Sequence, residues 1–263
     1  MMRALRAGFS LAGLLMCGWM ALAAPDASVW QELDIVPMPK EIELTGREVP
    51  VSGCVIVLGE GASRQDEIGA EWISDEIVGL GGTAPQVVRV GAETGEALRI
   101  VVGTRESNPL IAAAADELNV GPGNPGERGY AISPGEGVAL LAGSDNIGAL
   151  YACVTFGETL AEREVGVVWR EAQVRDWPDW VQGMLGGSRI GGTQMPEVKP
   201  LFSWSQGVAG LDEEFRDKYL TEMEWYYDWL LRRKVPGLQY SLPLDRMSDV
   251  PQDARAIMRQ GIE

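Results

Sequence analysis

The chain has 263 residues, a formal charge of −16 and 46% hydrophobic residues, enough apolar material for a sizeable core. A surface this acidic repels nucleic acid phosphates, and no Lys/Arg block offsets it, which argues against a nucleic acid partner. There are no histidines, so Ser-His-Asp triads, Cys-His pairs, HExxH zinc sites and histidine general acids are excluded, and any chemistry falls to carboxylates.

The first residues read as a processing signal. Arg3 and Arg6 form a basic start, residues 7–20 are largely apolar, and Ala21-Leu22-Ala23 gives the small-x-small cleavage pattern. The apolar run is too short and too broken by Gly for a comfortable membrane span. Cys17 follows Met16, where lipoprotein processing wants a small side chain. The expectation is a signal peptide over 1–23, export to a periplasmic or extracellular space, and no membrane span after cleavage; an uncleaved anchor is the rival reading. Cleavage removes two positive charges and takes the net charge to −18. Cys54 and Cys153 remain, both in apolar surroundings, and read as buried free thiols, with a disulfide as the alternative in an oxidising compartment.

From Leu33 to Arg175, short strands alternate with amphipathic helices. Leu33 to Val36 is an extended lead-in broken by Pro37 and Pro39. A hairpin is predicted next, with Glu41–Leu44 and Glu48–Val51 flanking a turn at Thr45-Gly46-Arg47. "CVIVLGEG" is an apolar strand. Ser63 caps a helix whose stripe is Ile68, Trp72, Ile73 and Ile77, and Gly81-Gly82 stops it. "PQVVRV" and "ALRIVVGT" are strands, and Asn108 caps a short Ala-rich helix. Tyr130–Ile132 and Val138–Leu141 form a hairpin about Pro134-Gly135-Glu136-Gly137. Ser144 or Asp145 then caps a helix bearing Ile147, Leu150, Tyr151, Val154 and Leu160. Two short strands, 165–168 and 172–174, lead to Asp176. Several hairpins and few parallel crossovers favour an α+β fold, a mixed sheet backed by helices.

The character changes after Trp177-Pro178. "WVQGMLGGSR" is a candidate buried strand. "LDEEFRDKYLTEMEWYYDWLLRRK" is a helix with an acidic first turn and a basic last turn at Arg232, Arg233 and Lys234, matching the helix dipole at both ends. Tyr219, Met223, Tyr226, Leu230 and Trp229 form its apolar face. "PGLQYS" is another strand, and a helix begins near Pro251. Strand, helix, strand, helix is the grammar of a βα-repeat fold.

"DIVPMPKEIELTGREVPV" resembles the opening of the N-terminal accessory domain of family 20 and family 84 glycoside hydrolases. "RGYAISPGEGVALLAGSDNIGALYACVTFGETL", with its Gly-x-Asp-x-x-Gly helix start and Tyr151, Thr155 and Leu160, is similar to that domain's later signature. "VRDWPDW" resembles the junction leading into the catalytic (β/α)8 barrel. The resemblance covers roughly residues 33 to 190. It implies a β-N-acetylhexosaminidase-like exo-glycosidase acting on amino-sugar glycans, with barrel carboxylates doing the chemistry and no cofactor or metal. The expected organisation is a signal peptide (1–23), an accessory domain (24–175) and the start of a barrel (176–263).

Departures accompany the matches. Gln182-Gly183 stands where family 20 typically has Arg-Gly, and the loop from Gly186 to Gly192 lacks the usual Asp. A full barrel takes about 250 residues, whereas residues 180 to 263 hold two units and the start of a third. The catalytic Asp-Glu pair of the fourth barrel strand is therefore not expected here. Two alternatives stand beside the supporting-domain reading: a non-catalytic carbohydrate-binding or scaffold protein, and part of an α-glucuronidase-like glycosidase.

Several residues invite a site reading. Glu213-Glu214, Asp75-Glu76 and Asp116-Glu117 are acidic pairs whose plain reading is a helix first turn or a solvated helix face. Six of the nine tryptophans lie between Trp169 and Trp229. Trp225 and Trp229 sit at helical spacing as packing residues, and Trp177 and Trp180 bracket the junction as interdomain contacts, with sugar stacking as the rival role. Arg189 would stand beyond the end of the first barrel strand, where barrels bind substrate; a surface ion pair is the plain alternative. Asp245 has a similar standing after the second strand. The candidate substrate-binding set is Arg189, Asp245 and Trp180. The Gly-rich loop does not fit a phosphate cradle.

Overall fold

Alternating apolar residues build the centre of the molecule. The computed structural model describes residues 33, 35–92, 97–179, 185–186, 225, 228–235 and 238–239. Ten strands occur among them: β1 (Glu41–Pro50), β2 (Val55–Leu58), β3 (Gln86–Arg89), β4 (Arg99–Thr104), β5 (Tyr130–Gly135), β6 (Val138–Gly143), β7 (Leu160–Arg163), β8 (Gly166–Asp176), β9 (Leu185–Gly186) and β10 (Leu238–Gln239). The first eight form one sheet in the order β1-β8-β5-β6-β4-β2-β3, with β7 also paired to β8. In each central strand, odd and even side chains enter opposite cores. Ile56 and Leu58, Ile100 and Val102, and Ala139 and Leu141 face one layer. Val57, Val101 and Ala142 face the other, as expected for strands covered on both sides.

Helices α1 (Arg64–Gly79) and α3 (Asn146–Glu158) share the larger core, through Ala70, Ile73 and Ile77 and through Tyr151, Ala152 and Phe156. Helix α2 (Pro109–Leu118) covers part of the opposite face through Ile111. Each has the predicted start. Ser63 Oγ accepts from the Asp66 amide at 3.1 Å while Asp66 returns the bond to the Ser63 amide at 2.8 Å, a reciprocal capping box. Asn108 caps α2 and Asp145 caps α3.

The mixed sheet backed by helices is as expected, but the α+β label is corrected. β2 pairs in parallel with both β3 and β4, and β4 pairs in parallel with β6. Crossovers through α1 and α2 make this an α/β domain.

Two further expectations are corrected by one irregularity. The predicted hairpin over 41–51 is a single strand lying antiparallel to β8, with the register jumping from Leu44↔Ala172 to Glu48↔Arg170. Thr45-Gly46-Arg47 is a bulge, with Gly46 at φ 78°. The two short strands predicted over 165–174 are likewise one, β8. Its core residues change from Val167 and Trp169 to Ala172 and Val174 opposite that bulge, and this parity change is what looked like a chain break. Buried Glu171 fills the irregularity, accepting from Thr45 Oγ1 at 2.8 Å and Arg47 Nη1 at 3.3 Å. Leu160, expected on α3, begins β7 instead.

Cys54 and Cys153 are buried and unpaired with one another. Beyond Asp176, β9 and β10 pair in parallel, Leu238 opposite Leu185, and Trp225 and residues 228–232 are helical. These agree with a βα grammar; a closed barrel is not among the described residues. The signal-peptide expectation over 1–23 lies outside the described residues. No described helix is long and apolar enough to cross a membrane.

Candidate functional site

A group of buried, mutually bonded polar residues lies where β8 ends. Tyr130 opens β5 and pairs across the sheet with Asp176, the last residue of β8. Its side chain is buried among apolar neighbours, so its hydroxyl needs partners inside the protein. It finds three: Thr155 Oγ1 of α3 at 2.7 Å, Asp176 Oδ2 at 3.1 Å and the Lys234 ammonium at 2.8 Å. Asp176 also accepts from the Lys40 amide at 3.2 Å and lies 3.5 Å from Lys234 Nζ. Lys234 donates further to the Pro37 carbonyl at 3.3 Å. Burial, and then the Asp176 carboxylate, pushes the Tyr130 phenol well above its ordinary value. Burial pulls the Lys234 ammonium below its ordinary value, against the opposing pull of Asp176 and Glu158.

Lys234 arrives there through its backbone. The 228–235 segment ends with Val235 N bonded to Leu230 O at 2.9 Å and Lys234 N to Leu231 O at 2.9 Å. That is a Schellman termination, which places Lys234 in the left-handed region at φ 56°. Glycine normally takes this position, and a lysine there costs on the order of 1 kcal/mol. The side chain supplies the compensation, a buried ion pair and a bond to Tyr130. The basic triplet expected to serve the helix dipole is thus split. Arg232 lies over the Trp72 ring of α1 at 4.5 Å, Arg233 lies over Trp229 at 5.8 Å, and Lys234 turns inward. Leu231 packs with Trp72, Leu150 and Val154, so the segment rests on α1 and α3.

Outside this cluster the junction is wetter. Lys40 Nζ lies 4.7 Å and Arg175 Cζ 5.1 Å from the Trp177 ring, and Lys40 pairs with Asp179 at 2.5 Å. Arg175 bonds Asn124. Trp177, expected as an interdomain contact, is thus held by Lys40, just before β1, and Arg175, near the end of β8, both on the sheet-domain side of the junction. Trp180, Arg189, Asp245 and Glu213-Glu214 lie outside the described residues. Asp75, Asp116 and Glu117 are exposed, and Asp116 pairs with Arg105, so these acids sit on solvated faces as read from the sequence. Trp225, expected to pack, is 43% exposed, while Leu230 is buried as expected. Among the described residues no three His, Cys, Asp or Glu side chains are grouped to hold a metal.

Tyr130, Asp176 and Lys234 were not singled out from the sequence. Their contacts span 46 and 104 residues, and a local pattern carries no such signal. The Gly-x-Asp-x-x-Gly start of α3 was readable, and the structure supplies its reason. Asp145 accepts from Gly148 N at 2.8 Å and Arg128 N at 2.7 Å. A Cβ on Gly143 would sit 2.1 Å from Ala149 N, and one on Gly148 would sit 2.2 Å from Gly129 O.

The family model described as "Glycosyl hydrolase family 20, domain 2" matches residues 32–177. No curated protein sequence is significantly similar to the chain. Among solved structures, CpGH84B is similar at 14% identity and a TM-score of 0.54, over 88% of this chain and 34% of its own. Streptomyces plicatus N-acetyl-β-hexosaminidase is similar at 14% identity and a TM-score of 0.47, over 78% and 33%. The Vibrio harveyi GH20 exo-β-N-acetylglucosaminidase, solved with N-acetylglucosamine, is similar at 15% identity and a TM-score of 0.39, over 58% and 20%. The chain thus spans between 20% and 34% of the length of these structures.

Proposed function

The chain belongs to the family of glycosyl hydrolase family 20, domain 2, and from that premise we propose that its sheet domain is the non-catalytic support of a hexosaminidase-like glycoside hydrolase. In this reading, residues beyond Asp176 begin the catalytic barrel, and amino-sugar glycans are the substrate of that barrel. The domain's work is mechanical: it fixes the direction in which the chain leaves β8 and holds the 228–235 segment against α1 and α3.

The observation that carries this reading is the Tyr130–Asp176–Lys234 cluster. A surface module with no load to hold has no need of a buried lysine delivered from a strained backbone position. The parallel pairing of β9 with β10 gives further support, as does the fold shared with CpGH84B. Arg189, Asp245 and Trp180 are assigned to the sugar-facing side of the barrel start. We also assign residues 1–23 to an export signal, on Arg3, Arg6 and the Ala21-Leu22-Ala23 site.

The test is an assay of the purified chain with a chromogenic N-acetylglucosaminide. A rate equal to the buffer blank is expected. Turnover abolished by substituting a carboxylate of this chain would overturn the supporting role. N-terminal sequencing of the exported protein is expected to begin at Ala24.

A further inference from the structure

Glu158, the last residue of α3, sits between two segments that are far apart in sequence. Its Oε1 accepts from the Val36 amide at 3.4 Å. One residue further along the same N-terminal arm, the Pro37 carbonyl accepts from Lys234. The arm, residues 35–40, is therefore held from one side by α3 and from the other by the 228–235 turn. Glu158 Oε2 is buried and has no hydrogen-bond partner. A carboxylate oxygen left so is costly when charged and far less so when the group is neutral.

Charged groups face Glu158 from two neighbouring elements. Lys234 and Arg233 face it from the turn and favour its ionised form, while Glu76 faces it from α1 and opposes that form. Arg170 of β8 donates to its peptide oxygen at 3.1 Å. Lys234 is already engaged by Asp176 and Tyr130. Burial outweighs the two cations and the Val36 amide, which all favour the ionised form, and raises the Glu158 carboxyl from its ordinary 4.5 to about 7.

We propose that Glu158 and Lys234 form a proton-operated clasp: with Glu158 neutral, the 35–40 arm and the 228–235 turn close over the end of α3, and ionisation of Glu158 loosens both. The sign comes from burial. Opening the arm and turn hydrates Glu158, so the open form binds the proton less tightly and rising pH favours it. The clasp goes beyond the supporting role proposed above, since it makes the hold between the sheet domain and the 228–235 segment depend on pH.

Amide hydrogen exchange on the full chain tests this, at pH 5.5 and 8.5 with intrinsic rates corrected. Protection of peptides covering 35–40 and 228–235 should fall at least about tenfold at the higher pH relative to β4. In Glu158→Gln the fall should vanish, with protection staying at the acid level. Equal changes in β4 and the two segments, or an undiminished fall in the variant, would overturn the clasp. A carbon-13 titration of the Glu158 carboxyl in the unaltered protein is the second measurement. Its midpoint should lie near neutrality and move upward in Lys234→Met; an ordinary midpoint, or no movement, also overturns the proposal.

Discussion

Lys234 donates to the phenol oxygen of Tyr130 at 2.8 Å across 104 residues of chain, joining the 228–235 turn to the first residue of β5. The turn's backbone would be more relaxed with glycine at this position, since φ is 56°. Lys234→Gly separates the two effects. Relief of strain contributes about 1 kcal/mol, whereas stranding buried Asp176 costs about 3 kcal/mol. Urea denaturation should show net destabilisation; a stabilised variant would mean that the side chain contributes nothing.

Close backbone approach at the start of α3 gives a sharper contrast. Gly148→Ala drives a methyl against the Gly129 carbonyl, while Gly79→Ala enters open space at the end of α1 without a positive φ. The first should lose about 2–3 kcal/mol. The second should gain about 0.5–1 kcal/mol by restricting the unfolded chain. Thermal melts of the two variants check both signs.

Global stability should fall as pH rises through neutrality. Glu158 titrates at about 7 in the folded protein against an ordinary 4.5, so folding binds its proton more tightly. Its contribution is fully present below 4.5 and is lost as pH passes 7, a change on the order of 2 kcal/mol for a partly wet group. Denaturation at pH 5 and pH 8 should show this slope in the unaltered chain and a flatter one in Glu158→Gln.

The two thiols of the domain should be inert. Burial pushes Cys54 up to about 11 and, with Asp66 adding to it, Cys153 well above its ordinary value. Thiolate is the reactive form. Peptide-resolved labelling with a disulfide reagent at pH 8 should therefore miss Cys54 and Cys153 in the native protein and find both after denaturation.

Much of the sheet was legible because its central strands are short, continuous apolar runs, a local pattern expected of strands covered on both faces. Ile56, Ile100 and Leu141 declare one face while Val57, Val101 and Ala142 declare the other. Caps at Ser63, Asn108 and Asp145 were legible for the same reason: each is a local bond within three residues. The edge of the sheet was not. Gly46 carries the same positive φ in a bulge as in a hairpin turn, and the parity change across Glu171 imitates a strand end. Parallel pairing was hidden because it depends on which distant strand lies alongside. The junction cluster was hidden most deeply, since Tyr130, Asp176, Glu158 and Lys234 are each unremarkable within their own stretches.

The most direct test of the supporting role is a double-mutant cycle between Asp176 and Lys234. Asp176→Asn and Lys234→Met should each cost about 3 kcal/mol by stranding a buried partner, and the double variant should cost less than their sum by at least about 1 kcal/mol. Additivity within about 0.5 kcal/mol would mean that the turn and the sheet are not joined through this pair, and would contradict the account of the domain as the anchor for the chain beyond β8.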